Sequence, residues 1–309
     1  MSAIPNTLIR QYGGLAAKPH RVYGQGESML RIGNGGAGGT GLVEALAKDY
    51  IALNNISGSI EWVCNHSRNT QLALLSGHID IALTYEREQE EIAVSEGWAE
   101  NAGCIFHDHF CLVGPEHDPA NVKSAQSIEE AFDRIATTQS TFHSRDDGSA
   151  TAHKDHEIWR RCHRSPWTDS ANSWFVKTEF NPADAIINAT KSDAYILNDR
   201  STLLNQVRLG KITKCTVYFE PTNPFHPLMN SCYALHAPSL ANPPTKHIRS
   251  FLEYLRSPRG QKVIEEYGKD TVGTPFFAPQ KSGIVSQGLV GGRPRNCKWL
   301  TVRQSSSKL

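Results

Sequence analysis

The side chains best suited to chemistry in this 309-residue chain gather in one stretch, Phe142-His143-Ser144-Arg145-Asp146-Asp147-Gly148-Ser149-Ala150-Thr151-Ala152-His153-Lys154. Arg145 offers a planar, permanently charged fork that grips a carboxylate or an oxyanion through paired hydrogen bonds. Ser144, Ser149 and Thr151 could add hydroxyl donors. Ser149 and Thr151 also precede a helical pattern, where the same oxygens serve as N-caps. A second candidate grip is Asn34-Gly35-Gly36-Ala37-Gly38. Backbone N–H groups at a helix start point outward there, and the helix dipole favours negative charge. Asp199-Arg200 reads either as an ion pair orienting a loop at the site or as a surface pair of little energetic consequence.

The thirteen histidines suggest a different chemistry. In His107-Asp108-His109, alternate residues of a strand share a side, so His107 and His109 could converge while Asp108 faces away. His153 and His156 are three apart on a predicted helix, and His143 lies just before it. With a carboxylate such a set could hold a transition metal. An imidazole of shifted pKa could also act as general acid or base, with His107, His109 and His153 as the catalytic candidates. No cofactor is firmly implied. The chain has no HExxH or close Cys/His zinc spacing and no G-x-S-x-G elbow, and its glycine run lacks the acidic partner of a nucleotide fingerprint.

Lys and Arg total 32 against 31 Asp and Glu, so no global field draws the chain to nucleic acid or an anionic membrane, and an anion must be recognised locally. A hydrophobic content of 39% supports a sizeable core, and the length suits two lobes. No stretch reaches bilayer-spanning length, and the first residues lack a secretory leader pattern. Seven cysteines, without a CxxC pair, suit free thiols in a reducing compartment. Ser307-Lys308-Leu309 reads as a peroxisomal import address, which implies an import receptor as partner and a peroxisomal location.

The elements that must position these residues alternate. Met29–Ile32 reads as a strand, followed by the glycine turn and a helix with Leu42, Leu46, Tyr50 and Leu53 on one face. Residues 59–63 and 79–83 read as strands around a helix at 69–76, giving a parallel α/β sheet with ligands at the carboxyl ends of its strands. Residues 128–138, 153–163 and 182–190 are predicted helical, with strands near 110–113, 194–197, 216–219 and 232–235. Ile248, Phe251, Leu252 and Leu255 mark an amphipathic helix, and another follows Pro258. Residues 1–27 read as an N-terminal arm and 281–309 as a tail bearing the targeting tripeptide.

The 142–154 stretch resembles the SRGDDSGTHK signature of tungstate-binding periplasmic proteins. Leu30-Arg31-Ile32 before the glycine turn, Gly77-His78-Ile79-Asp80-Ile81-Ala82-Leu83, Ala194-Tyr195-Ile196-Leu197-Asn198-Asp199-Arg200 and Ser257-Pro258-Arg259-Gly260-Gln261 follow in the family's order. The resemblance implies a type 2 periplasmic-binding-protein fold: two α/β lobes, residues 28–112 plus 226–280 and 113–225, joined by two crossing strands as a hinge and closing on a ligand in the interlobe cleft. Two departures touch the ligand site. The family's hydroxyl-rich TTTS turn is here Asn34-Gly35-Gly36-Ala37, and the signature has lost a residue after Arg145 and gained one before His153. The expected function is capture of a small anion, an oxyanion or organic acid, by a peroxisome-directed protein. The alternative is an enzyme that has recruited the cleft, with Arg145 holding a carboxylate or phosphate and histidine supplying acid/base or metal chemistry. A third is an interaction protein whose cleft holds no ligand.

Overall fold

The computed structural model describes residues 13–239, 245–281 and 283. In chain order the elements are β1 (Arg21–Gly24), β2 (Ser28–Gly33), α1 (Gly36–Thr40), α2 (Leu42–Asn54), β3 (Ser59–Val63), α3 (Ser67–Leu75), β4 (Ile81–Thr84), α4 (Arg87–Ser95) and β5 (Glu100–Gly114). Then come α5 (Ile128–Thr138), β6 (Phe142–Arg145), α6 (Ala150–Arg161), β7 (Phe175–Thr178), α7 (Pro182–Lys191), β8 (Tyr195–Asp199), α8 (Arg200–Arg208) and β9 (Thr216–Phe219). β10 (Met229–His236), α9 (Lys246–Arg256), α10 (Pro258–Glu266), α11 (Lys269–Val272) and β11 (Ala278–Pro279) complete the series. No described helix is long and apolar enough to cross a membrane.

These elements form two compact units. Among the described residues the first comprises 13–107, 231–239, 245–267 and 277–281, and the second 108–230, 268–276 and 283. The chain passes from the first unit to the second within β5, after His107, and returns within β10, after Asn230. The sequence reading placed these changes near residues 112 and 226.

In the first unit the strand order is β1-β3-β2-β4-β10, with β2 parallel to both β3 and β4 and with β1 and β10 antiparallel to their neighbours. β1 corrects the expected arm: Arg21–Gly24 pairs with Ser59–Trp62. A four-residue edge strand is held by backbone bonds, and burying Tyr23 while leaving Val22 54% exposed is too short an alternation to register as a pattern. Upstream, the Asn65 side chain bonds both the N–H and the carbonyl of Ala16 at 2.9 Å. The expected single helix after the glycine turn is split by Gly41, whose φ of 99° ends α1. Leu42, Leu46 and Tyr50 are buried as their spacing requires, whereas Leu53 is exposed.

In the second unit β6 lies parallel to both β7 and β8, and β5 is antiparallel to β8 and β9. Alternation sends Phe142, Tyr195 and Leu197 into one apolar core with Phe132 and Trp159. Trp159 stands 4.6 Å from Phe132 and edge-on to Phe142 at 5.2 Å between centroids. This aromatic block anchors both β6 and α6, and so fixes the end of β6, where Arg145 stands, and the loop that follows it.

Candidate functional site

Arg145 ends β6 and is only 4% exposed. Its Nε donates to Asp147 Oδ2 at 3.1 Å, Nη2 donates to the same oxygen, and Nη1 donates to Thr151 Oγ1 at 3.3 Å. Asp147 Oδ1 in turn accepts the Ser149 N–H at 3.1 Å. Burial alone would raise the Asp147 carboxyl, but the Arg145 charge and the Ser149 and Arg145 hydrogen bonds outweigh it and leave it below its usual range. The Thr151 hydroxyl passes on to Asp199 Oδ1 at 3.5 Å, which also accepts Asn230 Nδ2 at 3.4 Å.

Asp199 is the N-cap residue of α8. Asp108 bonds the same helix start, accepting the Ser201 N–H at 3.2 Å and the Ser201 hydroxyl. Burial raises both carboxyls. Asp108 is pushed to about 8, with the Asp199 charge as the second cause, while Arg145 acts to lower Asp199. Asp199 and Arg200, expected as one pair, take different partners. Arg200 Nη1 reaches both oxygens of Glu220 at 2.6 and 2.8 Å, and its Nη2 reaches Thr274 Oγ1 at 2.9 Å. With Arg200 and Glu220 1% and 2% exposed, this is a buried structural pair and the surface reading is overturned.

The hydroxyls divide by role. Ser149 caps α6, its Oγ accepting the Ala152 N–H at 3.3 Å, and Ser144 donates to the buried Asp155 at 2.5 Å. Thr151 alone of the three touches Arg145. In the first unit Asn34 is fully buried and internally engaged. Its Nδ2 donates to the Leu83 carbonyl at 2.9 Å and its Oδ1 accepts the Gly38 N–H at 2.8 Å. This removes Asn34 and the Gly38 amide from the expected grip, leaving Gly35, Gly36 and Ala37. Gly35 is required to be glycine, since a Cβ would sit 2.8 Å from the Asn65 carbonyl oxygen.

The histidines do not assemble as expected. His107 belongs to the first unit, with Nδ1 2.7 Å from Ser231 Oγ and Nε2 3.1 Å from the Gln280 carbonyl. A carbonyl only accepts, so we assign the proton to Nε2. Burial lowers its pKa and favours this neutral form. His109 is buried in the second unit, where its backbone N–H donates to Asp108 Oδ1 at 2.7 Å. Asp108, expected to face away, is the member of the motif that joins the polar cluster. His153 is exposed, whereas His156 stacks on Trp167 at 4.1 Å and 16°. His143 is buried. Among the described residues no three His, Cys, Asp or Glu side chains are arranged to hold a metal ion.

Asp147, Ser201 and Asn230 were not singled out by sequence reasoning. Asp147 stood inside the recognised signature, a signal that could have found it. Asn230 had none, because its place depends on the return of β10.

A family model described as a PBP superfamily domain matches residues 21–259. A Haloferax volcanii protein, named for an inferred role as the anion-binding protein of an ABC transporter, is 27% identical over 210 residues, 66% of this chain. That match spans 58% of the Haloferax protein, less than two thirds of its length. The tungstate-binding protein TupA of Peptoclostridium acidaminophilum is 28% identical over 211 residues, covering 66% of this chain and 69% of the relative. A crystal structure of a periplasmic protein with an inferred metal-binding role superposes with a TM-score of 0.75 at 29% identity, over 84% of this chain and 98% of that one. The fold is the type 2 periplasmic-binding-protein fold.

Proposed function

Because the chain belongs to the PBP superfamily, we propose that it binds a small anion and that Arg145 is the principal grip. The observation that carries this reading is a guanidinium 4% exposed, fixed on two sides by Asp147 and Thr151. A guanidinium has five N–H donors. Three engage these partners, so two remain for a ligand. A charged donor held in place before the ligand arrives loses little entropy on binding, which favours a planar or tetrahedral oxyanion. The backbone amides of Gly36 and Ala37 in the first unit are a lesser candidate, to be tested separately. Relatives named for anion and tungstate binding support the same class of ligand.

Calorimetric titration with inorganic phosphate, sulfate, tungstate and small carboxylates tests the reading. Arg145→Ala should weaken the tightest anion about 10- to 100-fold, the loss expected for one or two charge-assisted hydrogen bonds. Unchanged affinity would remove Arg145 from the site.

Peroxisomal delivery and an import-receptor partner are proposed on Ser307-Lys308-Leu309 alone, a tripeptide outside the described residues. A fluorescent fusion placed before residue 1 should reach peroxisomes, and deleting the three residues should leave it in the cytosol. Equal distribution of both forms would remove the signal.

A further inference from the structure

We propose, resting on the anion-binding reading of Arg145, that the anion binds together with one proton, taken up by two carboxyls at the start of α8, Asp108 and Asp199. The protein is then a proton-coupled anion binder whose affinity falls as the solution becomes alkaline.

Two acidic side chains meet at one helix start. Asp199 is the N-cap residue of α8, and Asp108 accepts both the Ser201 N–H at 3.2 Å and the Ser201 hydroxyl. Phe110 of β5 lies opposite Asp199 of β8 in their antiparallel ladder. Asp108 stands two residues from Phe110 and falls on the same face, diagonal to Asp199, where side chains on neighbouring strands come within reach of each other. Asp108 is 2% exposed. Two negative charges so placed, with little water to screen them, favour a state in which the pair holds a proton. Burial and then the Asp199 charge push Asp108 up to about 8, and burial raises Asp199 as well.

Of the charged groups around the pair, Arg145 is the one an anion would alter. Thr151 on α6 and Asn230 on β10 donate to Asp199 Oδ1 at 3.5 and 3.4 Å. Arg145 is one hydroxyl away, its Nη1 donating to Thr151 Oγ1 at 3.3 Å. The Arg145 charge lowers Asp199, and Asp147 acts the other way. Arg200, at the start of α8, is matched by both oxygens of Glu220 beyond β9. On β5, alternation places His109 on the opposite side from Asp108, and burial holds the Cys111 thiol well above its ordinary value, so it stays neutral.

An anion at Arg145 shifts this balance without touching either carboxyl. Negative charge resting on the guanidinium offsets the positive charge that steadies ionised Asp199, and the pair responds by holding its proton more tightly. Only charge at Arg145 is required, so the effect sets no position for the anion's other oxygens and applies to tungstate, sulfate, phosphate and carboxylates alike. It is also reciprocal: if the anion tightens the hold on the proton, the proton tightens the hold on the anion. Below about pH 7 the free protein already carries the proton, and affinity should be flat. Above about 8 the free pair loses the proton while the bound protein retains it, so affinity should fall by at most about tenfold per pH unit, the limit for one proton.

Isothermal titration of the full chain with tungstate, sulfate, phosphate and acetate from pH 8 to 9.5 reads this directly, since the four anions keep nearly constant protonation over that range. The tightest of them should weaken about fivefold or more across it. At pH 8.5, runs in two buffers of different ionisation heat should show uptake of about half a proton or more per anion bound. Asp108→Asn, checked for folding by circular dichroism, still offers Ser201 an acceptor but has no proton to exchange. It should abolish the uptake and hold affinity within about twofold over the same range. If that variant does not fold, the wild-type proton count alone decides. Binding without proton uptake, or uptake that persists in Asp108→Asn, would overturn this inference while leaving anion binding intact. Failure of all four anions to bind would remove the underlying reading and this inference with it.

Discussion

The side-chain carbonyl of Asn34 accepts the Gly38 N–H at 2.8 Å while its amide nitrogen donates to the Leu83 carbonyl at 2.9 Å. One buried side chain therefore ties the turn after β2 to β4, the parallel neighbour of β2. The arrangement leaves no space at Gly38, where a Cβ would fall 2.2 Å from the Trp62 indole nitrogen, which itself donates to the main-chain carbonyl of Asn34 at 2.8 Å. Gly36, two residues earlier, has nothing within 4 Å of a built Cβ.

The two glycines should accordingly respond in opposite ways to alanine. Gly38→Ala forces the Trp62 ring away from its hydrogen bond and should lower stability by about 1–3 kcal/mol, the usual range for overpacking a core. Gly36→Ala should be neutral or stabilise by up to about 1 kcal/mol, because alanine restricts the unfolded chain at a site with room for it. Urea unfolding of both variants distinguishes the cases, and equal effects would contradict the packing described.

The buried pair Arg200 and Glu220 makes a second prediction. Glu220→Ala removes the carboxylate that balances a guanidinium with 1% exposure, and should destabilise by about 3–5 kcal/mol. Replacing both residues with leucine should recover much of that loss, since the penalty comes from an uncompensated charge and not from the pair itself. A double variant as unstable as Glu220→Ala would show that the pair is required for more than charge balance. Denaturant melts of the three proteins supply the comparison.

How much of this was legible in the sequence differs from element to element. Strands with apolar runs, such as the 81–84 and 195–197 segments, and helices with a clear stripe, such as α5 and α9, were readable because burial imposes a period. β1, β7 and the polar first half of β5 were not, since backbone pairing holds them and their side chains carry no long alternation. Arg145 was picked out by its motif, and the structure places it buried at the end of β6. What the motif did not reveal was that Asn34 bonds inward or that Arg200 faces Glu220 and not Asp199. These choices depend on residues 20 to 74 positions away, which local pattern cannot bring together.

Asn65 holds the segment before β1 in the same non-local way. Its amide pairs with both backbone groups of Ala16 at 2.9 Å, while its own carbonyl accepts the Thr70 hydroxyl at 3.0 Å. Asn65→Ala removes both side-chain bonds and should cost about 1–3 kcal/mol. The expected sign of this role is local: the Ala16 amide should lose hydrogen-exchange protection before the sheet does. Retained protection at Ala16 in the variant would show that the segment is anchored elsewhere.

The final prediction concerns Asp155, whose buried carboxyl accepts the Ser144 hydroxyl at 2.5 Å and is raised from 3.8 to about 8, chiefly by burial, with the Ser144 hydrogen bond acting the other way. Below about pH 4 folded and unfolded chains both keep this proton, and the neutral acid contributes its full share of stability. As pH rises from about 4 toward 8 the unfolded chain releases the proton while the folded chain retains it. Stability then falls by at most about 1.4 kcal/mol per pH unit for this group, and the loss is complete above the folded value. Asp108, also raised to about 8 by burial and then by the Asp199 charge, acts with the same sign. Asp155→Asn keeps an acceptor for Ser144 but has no proton to lose, so its stability should decline less steeply between pH 5 and 8 than that of the wild type. Parallel urea-derived stability curves for the two proteins would show that Asp155 is already ionised in the folded state.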